Sequence, residues 1–388
     1  MKYLQSVVES GLINRFQDRF IGNERVNRRL TMIASVGTVG LGLVTAMDKF
    51  YYKNKSKKIV PSDDADENSL AESMLNQIKT NYCSSLPQEF LDRWDEVKLY
   101  SPKRNVKNAN QILIKTEDGA YSLKNKLNHL TGKKWTIFTC SWFIFNALQS
   151  DLAEEKRICG DSVNHPATYS PTMIQEFVEF FTKEGGFVLD PFAGIGSSLV
   201  ACQRSSRVGY GVELKPEYYK TMLKRVPEFS ENIVNGDSSK ISKFFQPNMF
   251  DFSISSPPYW DVLNRSTKDF KKSREERGLD STYSDSETDV GNISDYESFL
   301  DELSKIYFDI YELLKPNAYL VVIIKNVKKG GVFYPLAWDL AKRLSQKYSM
   351  KDERIWIQDK VALAPYGYPY AWTANILHHY CLIFRKEV

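Results

Sequence analysis

The chain has 388 residues, 42% of them apolar and 26% charged, with a formal net charge of +4. That length accommodates one large domain and a smaller one, the apolar share is that of a globular chain, and so mild a charge neither demands nor forbids a nucleic-acid partner. The five cysteines (Cys83, Cys140, Cys159, Cys202, Cys381) are scattered without a C-x-x-C or a Cys/His cluster. No metal site is therefore expected, and free buried thiols in a reducing cytoplasm are.

Residues 1–30 alternate apolar and charged positions at helical spacing. Residues 30–47 carry no charge and include three glycines and three threonines, a run just short of a membrane span that begins too late for a signal peptide. A buried helix is expected there and a membrane anchor is not; a partner-binding helix is the third reading. Lys49–Lys58 is rich in lysine and tyrosine, and 61–68 holds four acids in eight residues, a linker composition. The expected division is a helical N-terminal segment 1–60, a linker and accessory region 61–150, and a main domain 151–388. Within the accessory region, basic residues at 103–107, 124–126 and 133–134 surround Trp135, Phe138, Trp142 and Phe143. Such a mixture suits either a surface meeting a nucleic-acid backbone or a core.

The informative stretch is 187–260. Phe187–Asp190 reads as a short apolar strand, followed by Pro191-Phe192-Ala193-Gly194-Ile195-Gly196 and a helix opening at Ser197. Glycines there let the backbone approach a ligand, and a helix N-terminus points free N–H groups at it. Val208–Glu213 reads as a second strand ending in an acid, the place from which a carboxylate accepts ribose hydroxyls. A third, Asn232–Asn235, ends in Gly236-Asp237. A fourth, Phe250–Ser255, runs into Ser256-Pro257-Pro258-Tyr259-Trp260. Four strand ends with small or acidic residues lie on one edge of a parallel sheet, where ligands bind.

D-P-F-x-G-x-G-S followed by S-P-P-Y resembles the S-adenosylmethionine (SAM)-dependent amino-methyltransferases that act on DNA. The resemblance implies a class I methyltransferase fold: an α/β, Rossmann-like, mostly parallel seven-stranded sheet with a reversed last strand. It implies SAM as cofactor, with Asp190, Pro191, Phe192, Ala193, Gly194, Gly196 and Ser197 around its methionine part. Glu213 is implied at the ribose, Asp237 at the adenine, and Ser255 beside the cofactor. Ser256, Pro257, Pro258 and Tyr259 would hold and activate the target base, with Trp260 adding to the stacking face of Tyr259. Asn164-His165-Pro166-Ala167-Thr168 is similar to the family's motif beside the methionine, which assigns Pro166 and Thr168 to the cofactor and His165 to a structural turn. Leu127–Trp135 resembles a segment preceding the catalytic domain, so the resemblance covers roughly 125–388. A cysteine-based attack on ring carbon is not expected, because none of the five cysteines follows a proline.

Arg265–Asp289 is charged and almost free of apolar residues, either a flap that orders on DNA or a solvated insert. An amphipathic helix is expected over Asp295–Leu314, a buried strand over Tyr319–Lys325, a helix over Tyr334–Tyr348, and strands at Arg354–Ile357 and His379–Arg385. Pro365–Trp372 is an aromatic loop that would line the base pocket or cap the sheet. The expected activity is methylation of an exocyclic amino group in double-stranded DNA with base flipping. Cytosine N4 is preferred because the residue before Pro-Pro is Ser256; adenine N6 and RNA guanine N2 are the alternatives. A cognate restriction endonuclease is a candidate partner, and a cytoplasmic location is expected.

Overall fold

The structure is a computed structural model. It describes residues 98–100, 113–116, 119–122, 125–145, 169–261, 289–358, 363–365 and 367–387, with 79, 91, 92 and 94 upstream, all in the unit Ala71–Val388. The apolar run 30–47, the linker at 61–68, the basic residues 103–107, Asn164–Thr168 and the insert up to residue 288 lie outside the described residues. Among the described residues no helix is long and apolar enough to cross a membrane.

In chain order the elements are β1 (Lys98–Tyr100), β2 (Leu113–Thr116), β3 (Gly119–Ser122), α1 (Gly132–Phe138), β4 (Trp142–Ile144), α2 (Pro171–Phe181), β5 (Phe187–Asp190), α3 (Ser197–Arg204), β6 (Val208–Glu213), α4 (Pro216–Arg225), β7 (Ile233–Asn235) and β8 (Phe250–Ser255). There follow α5 (Tyr296–Leu313), β9 (Leu314–Ile324), β10 (Val327–Lys329), β11 (Val332–Tyr334), α6 (Leu336–Leu344), β12 (Ser349–Ile357) and β13 (His378–Arg385). β1–β3 form a small antiparallel sheet, and β10 and β11 a hairpin.

The main sheet runs β4-β12-β13-β9-β8-β5-β6-β7. Every neighbouring pair is parallel except the two made by β13, which opposes both β9 and β12. Without β4, this is the seven-stranded class I methyltransferase sheet with its reversed strand inserted next to the edge. The eighth strand, β4, comes from the stretch upstream of the main domain and pairs with β12.

Burial explains the strand sequences. Leu320–Ile324 of β9 is apolar without interruption because helices cover both faces. On one face α5 presents Phe299, Leu303, Ile306 and Ile310 at helical spacing, beside Leu336, Leu340 and Leu344 of α6. Asp295 caps α5 by accepting from the Ser298 N–H at 2.8 Å. On the other face Met173, Phe177 and Phe181 of α2 pack with Leu199 of α3 and with Phe138 of α1. Phe138 stacks on Phe180 at 4.0 Å and meets Phe177 edge-on at 5.2 Å. The Arg354 guanidinium lies 3.9 Å from the Phe138 ring and 4.6 Å from that of Phe143, with its Nε donating to the Cys140 carbonyl at 3.0 Å. Of the aromatics between 135 and 143, Phe138 is thus core, and Trp135 and Phe143 pack against the same cluster.

Asn128 fastens the preceding segment. It is fully buried, donates to the Phe180 carbonyl at 2.6 Å and accepts from Asn125 at 2.7 Å and from the Leu130 N–H at 3.0 Å. Lys126, Trp135, Lys183, Lys315 and Arg385 line a cavity of about 1540 Å³ beside Gly185, Gly186 and Asp251. Those last residues begin or precede β5 and β8, so the cavity opens at the amino edge of the parallel strands, opposite their ligand-binding edge.

Candidate active site

β5, β6 and β8 end side by side, and their tips carry Asp190, Glu213 and Ser255-Ser256. The turn after β5 is held from several directions. Asp190 is buried; its Oδ1 accepts from the Phe192 N–H at 3.0 Å, and its Oδ2 from the Ser198 hydroxyl at 2.5 Å and the Tyr169 hydroxyl at 3.1 Å. Burial pushes its carboxyl up to about 6 despite those three donors. The Ala193 N–H reaches the Val212 carbonyl at 3.0 Å, Ser238 donates to the Pro191 carbonyl, and Arg225 to that of Ile195. Gly196 has φ +86°, and a Cβ there would stand 2.6 Å from Met222 Cγ, so only glycine fits.

Glu213 faces this turn. Its Oε2 accepts from the Gly194 N–H and its Oε1 from the Lys215 N–H, both at 2.8 Å. Burial raises the carboxyl to about 7, the two backbone donors oppose that, and the charges of Asp289 and Asp190 add to it. Each oxygen keeps a lone pair for a further donor. Asp237 caps the following turn, its Oδ1 accepting from the Ser239 N–H at 2.9 Å. Asp289, buried, accepts from the Gly291 N–H at 2.8 Å. A Cβ on Gly291 would stand 3.2 Å from Pro258 Cβ, so the 289–292 turn lies directly against the S-P-P-Y loop.

On that loop Ser256 and Tyr259 share a hydrogen bond between their hydroxyls at 2.9 Å, and both are half-buried. Ser255 is fully buried and its hydroxyl is tied to Tyr307 at 2.8 Å, so its side chain faces the core. Trp260 also departs from the expectation that it helps stack a base. It is buried with φ +57°, packed on Tyr296 and Tyr334, with the Lys329 ammonium 3.4 Å from its ring. Lys329 in turn pairs with buried Asp261 at 3.3 Å. Behind Tyr259, at 5.9 Å, lies the His379 ring, stacked on Trp356 at 4.4 Å. His379 is buried, its Nδ1 has no hydrogen-bond partner among the described residues, and burial together with the nearby Lys325 and His378 holds it neutral, down to about 3.

Asp190 to Ser197, Glu213, Asp237 and Ser256 to Tyr259 are therefore gathered at one sheet edge. Pro166 and Thr168 lie outside the described residues. Sequence reading passed over Tyr169, Tyr307, His379 and Asp289, which arrive from elements outside the motifs; only the adjacency of Tyr169 to H-P-A-T offered a signal. The edge suits SAM. Ser197, at the N-terminus of α3, is buried, and its hydroxyl has no partner among the described residues, which leaves it open to an acceptor such as a carboxylate. Gly196 keeps the turn free of a side chain, and Glu213 stands at the tip of β6 facing that turn.

The chain is similar to several known proteins. Residues 42–224 match the N6_N4_Mtase family, described as DNA methylase; the match ends before Ser256. Over 70 residues the chain is 37% identical to the Type II methyltransferase M.Cfr9I of Citrobacter freundii, covering 18% of this chain and 23% of that protein. Over 118 residues it is 27% identical to the Type II methyltransferase M.BglI of Bacillus subtilis, covering 30% of each. The chain thus spans less than a third of the length of these relatives. Among solved structures, TrmN from Thermus thermophilus is 13% identical with TM-score 0.38, covering 60% of this chain and 53% of that one. A DNA modification methylase from the same organism, complexed with S-adenosyl-L-methionine, is 23% identical with TM-score 0.28, covering 39% and 54%. The fold is that of the class I SAM-dependent methyltransferases. Over 42–224, and over the shorter stretches shared with the curated relatives, the chain is similar to DNA methylases.

Proposed function

We propose that the protein transfers a methyl group from SAM to the exocyclic N4 amine of cytosine in double-stranded DNA. The observation that carries the reading is the pairing of a preorganised cofactor turn on β5 with a short hydroxyl, Ser256, at the tip of neighbouring β8. When bound, SAM supplies an electrophilic methyl group. The chain's part is to hold Gly194–Ser197 and Glu213 around the cofactor and to present an amine in line with it. An exocyclic amine is a poor nucleophile because its lone pair is spread into the ring. Ser256 Oγ and the Pro257 carbonyl accept its hydrogens, which draws the nitrogen toward sp³ and exposes the lone pair. Tyr259 gives the base a face to stack on. The Ser256–Tyr259 hydrogen bond is exchanged for one from the amine as the base arrives. No strong base is needed, because the methylated ammonium is acidic. Neutral His379, behind Tyr259, is not placed as a proton acceptor for the amine.

The target base leaves the helix to reach this edge, so the partner is duplex DNA with base flipping. A short hydroxyl in place of the carboxylate or amide usual in adenine-modifying relatives favours cytosine over adenine N6. A restriction-modification role with a cognate endonuclease, in the cytoplasm, accords with this activity. So does the division into a helical segment 1–60, an accessory region 61–150 and the catalytic domain, with 125–145 packed on the catalytic sheet. The test is tritium transfer from labelled SAM to unmethylated duplex DNA and, separately, to tRNA. Label in DNA supports the reading; label in tRNA alone replaces it with guanine N2 methylation of RNA.

A further inference from the structure

The connection from β12 to β13 carries large aromatic side chains that stand in the open. Tyr368, Tyr370 and Trp372 are 80%, 94% and 89% exposed. Yet the backbone that carries them is fixed. Gly367 has φ +79°, and a Cβ there would fall 2.2 Å from the Ala371 carbonyl oxygen. The Tyr370 and Ala371 N–H groups both donate to the Gly367 carbonyl, at 2.8 and 2.7 Å. Below the turn, Asn375 closes the base by bonding both the N–H and the carbonyl of Ala364, at 3.0 and 2.9 Å. The Lys328 ammonium, from the β10–β11 hairpin, donates to the Ala374 carbonyl.

Position gives the knob its meaning. β12 and β13 are antiparallel with Ile357 opposite His378, and β13 opposes β9 with Tyr380 opposite Ile324. The loop therefore emerges at the edge where β5, β6, β8 and β9 end. It leads directly into His379, which touches Tyr259. Exposed large aromatics on a pinned turn, beside a lysine-bearing hairpin, form a surface that stacks on unstacked bases. A base drawn into the Tyr259 site leaves a one-base gap in the duplex, and inserted side chains hold such gaps open.

We propose that the 367–372 turn is a wedge that enters duplex DNA as the target base leaves, with Tyr370 and Trp372 stacking in the vacated space. This rests on the DNA reading above. The test uses the full chain, the Tyr370→Ala/Trp372→Ala variant and the Tyr370→Phe/Trp372→Phe variant. Tritium transfer to unmethylated genomic DNA, anisotropy of a labelled duplex pool, SAM affinity and thermal melting are measured for each. The alanine variant is expected to lose about 10-fold or more in kcat/KM and to bind duplex more weakly, the scale of lost base stacking. The phenylalanine variant should stay within about threefold of the parent, with SAM affinity and melting unchanged in both. Equal loss in both variants, or no loss in the alanine variant, overturns the wedge. A parent protein that binds duplex through these aromatics but transfers no methyl to DNA retains the wedge and overturns the methylation reading.

Discussion

Glu213 shows how one side chain's environment sets both binding and stability. Its folded-state carboxyl sits near 7 against an ordinary 4.5. Between those values the folded chain holds a proton that the unfolded chain has lost, so without cofactor the stability contribution of this group falls as pH rises through that window. Ribose hydroxyls need the ionised carboxylate, so SAM affinity is expected to rise with pH through about 7. Calorimetry across buffers of different ionisation enthalpy should show a proton released on binding at pH 7. Glu213→Gln should bind SAM about 1–3 kcal/mol more weakly, because one carboxylate acceptor becomes a donor; unchanged affinity removes Glu213 from the site. At the base pocket, Ser256→Ala should lower kcat far more than DNA affinity, because its hydroxyl matters most as charge develops. Tyr259→Phe keeps the stacking face and releases Ser256, so steady-state kinetics should show a smaller loss than Tyr259→Ala. The positions of Asp190, Glu213 and Ser256 were legible in the sequence because each stands at or just past the end of an apolar strand. Tyr169, Tyr307 and His379 were not, since what they do depends on which distant strand end they meet. Trp260 looked like part of the stacking platform, but its positive φ turns the ring into a cage of Tyr296, Tyr334 and Lys329.

Among the elements, the four strands that build the site read almost to the residue, because parallel strands buried on both faces are apolar runs closed by polar tips. β4 was not read. Three residues carry no usable periodicity, and aromatics among lysines fit a nucleic-acid surface as well as a core. Arg354 decides between them: a buried cation on β12 that the Phe138 and Phe143 rings cover. Phe138→Ala should cost about 3–5 kcal/mol, the loss for a fully packed aromatic, measured as a shift of the denaturant midpoint. A shift under about 1 kcal/mol, well below that scale, would mean that α1 is dispensable to the sheet. β9 begins at Leu314, ahead of its expected start at Tyr319, because Pro316 and Asn317 are accommodated where the pairing with β8 shifts register between Phe250 and Phe252. Asp289 was read as the last residue of a charged insert; the turn it opens packs against Pro258 and so supports the S-P-P-Y loop.

At the scale of the whole molecule, the two edges of the sheet carry different features. Cofactor turn, S-P-P-Y loop and aromatic knob share the carboxyl edge, whereas Lys126 lines the cavity at the amino edge. Net charge does not reveal this, because it says nothing of where each lysine stands. Lys328→Ala should lower the salt dependence of DNA binding by up to about one unit of log–log slope, and Lys126→Ala should leave it unchanged. The reverse result would place DNA on the opposite edge. The central claim, amino-methylation of cytosine in DNA, is tested most directly by nucleoside mass spectrometry of DNA methylated by the purified protein. The account predicts N4-methylcytosine. N6-methyladenine as the sole product would contradict the cytosine assignment, and SAM binding with no methylated nucleoside from any DNA would contradict the account itself.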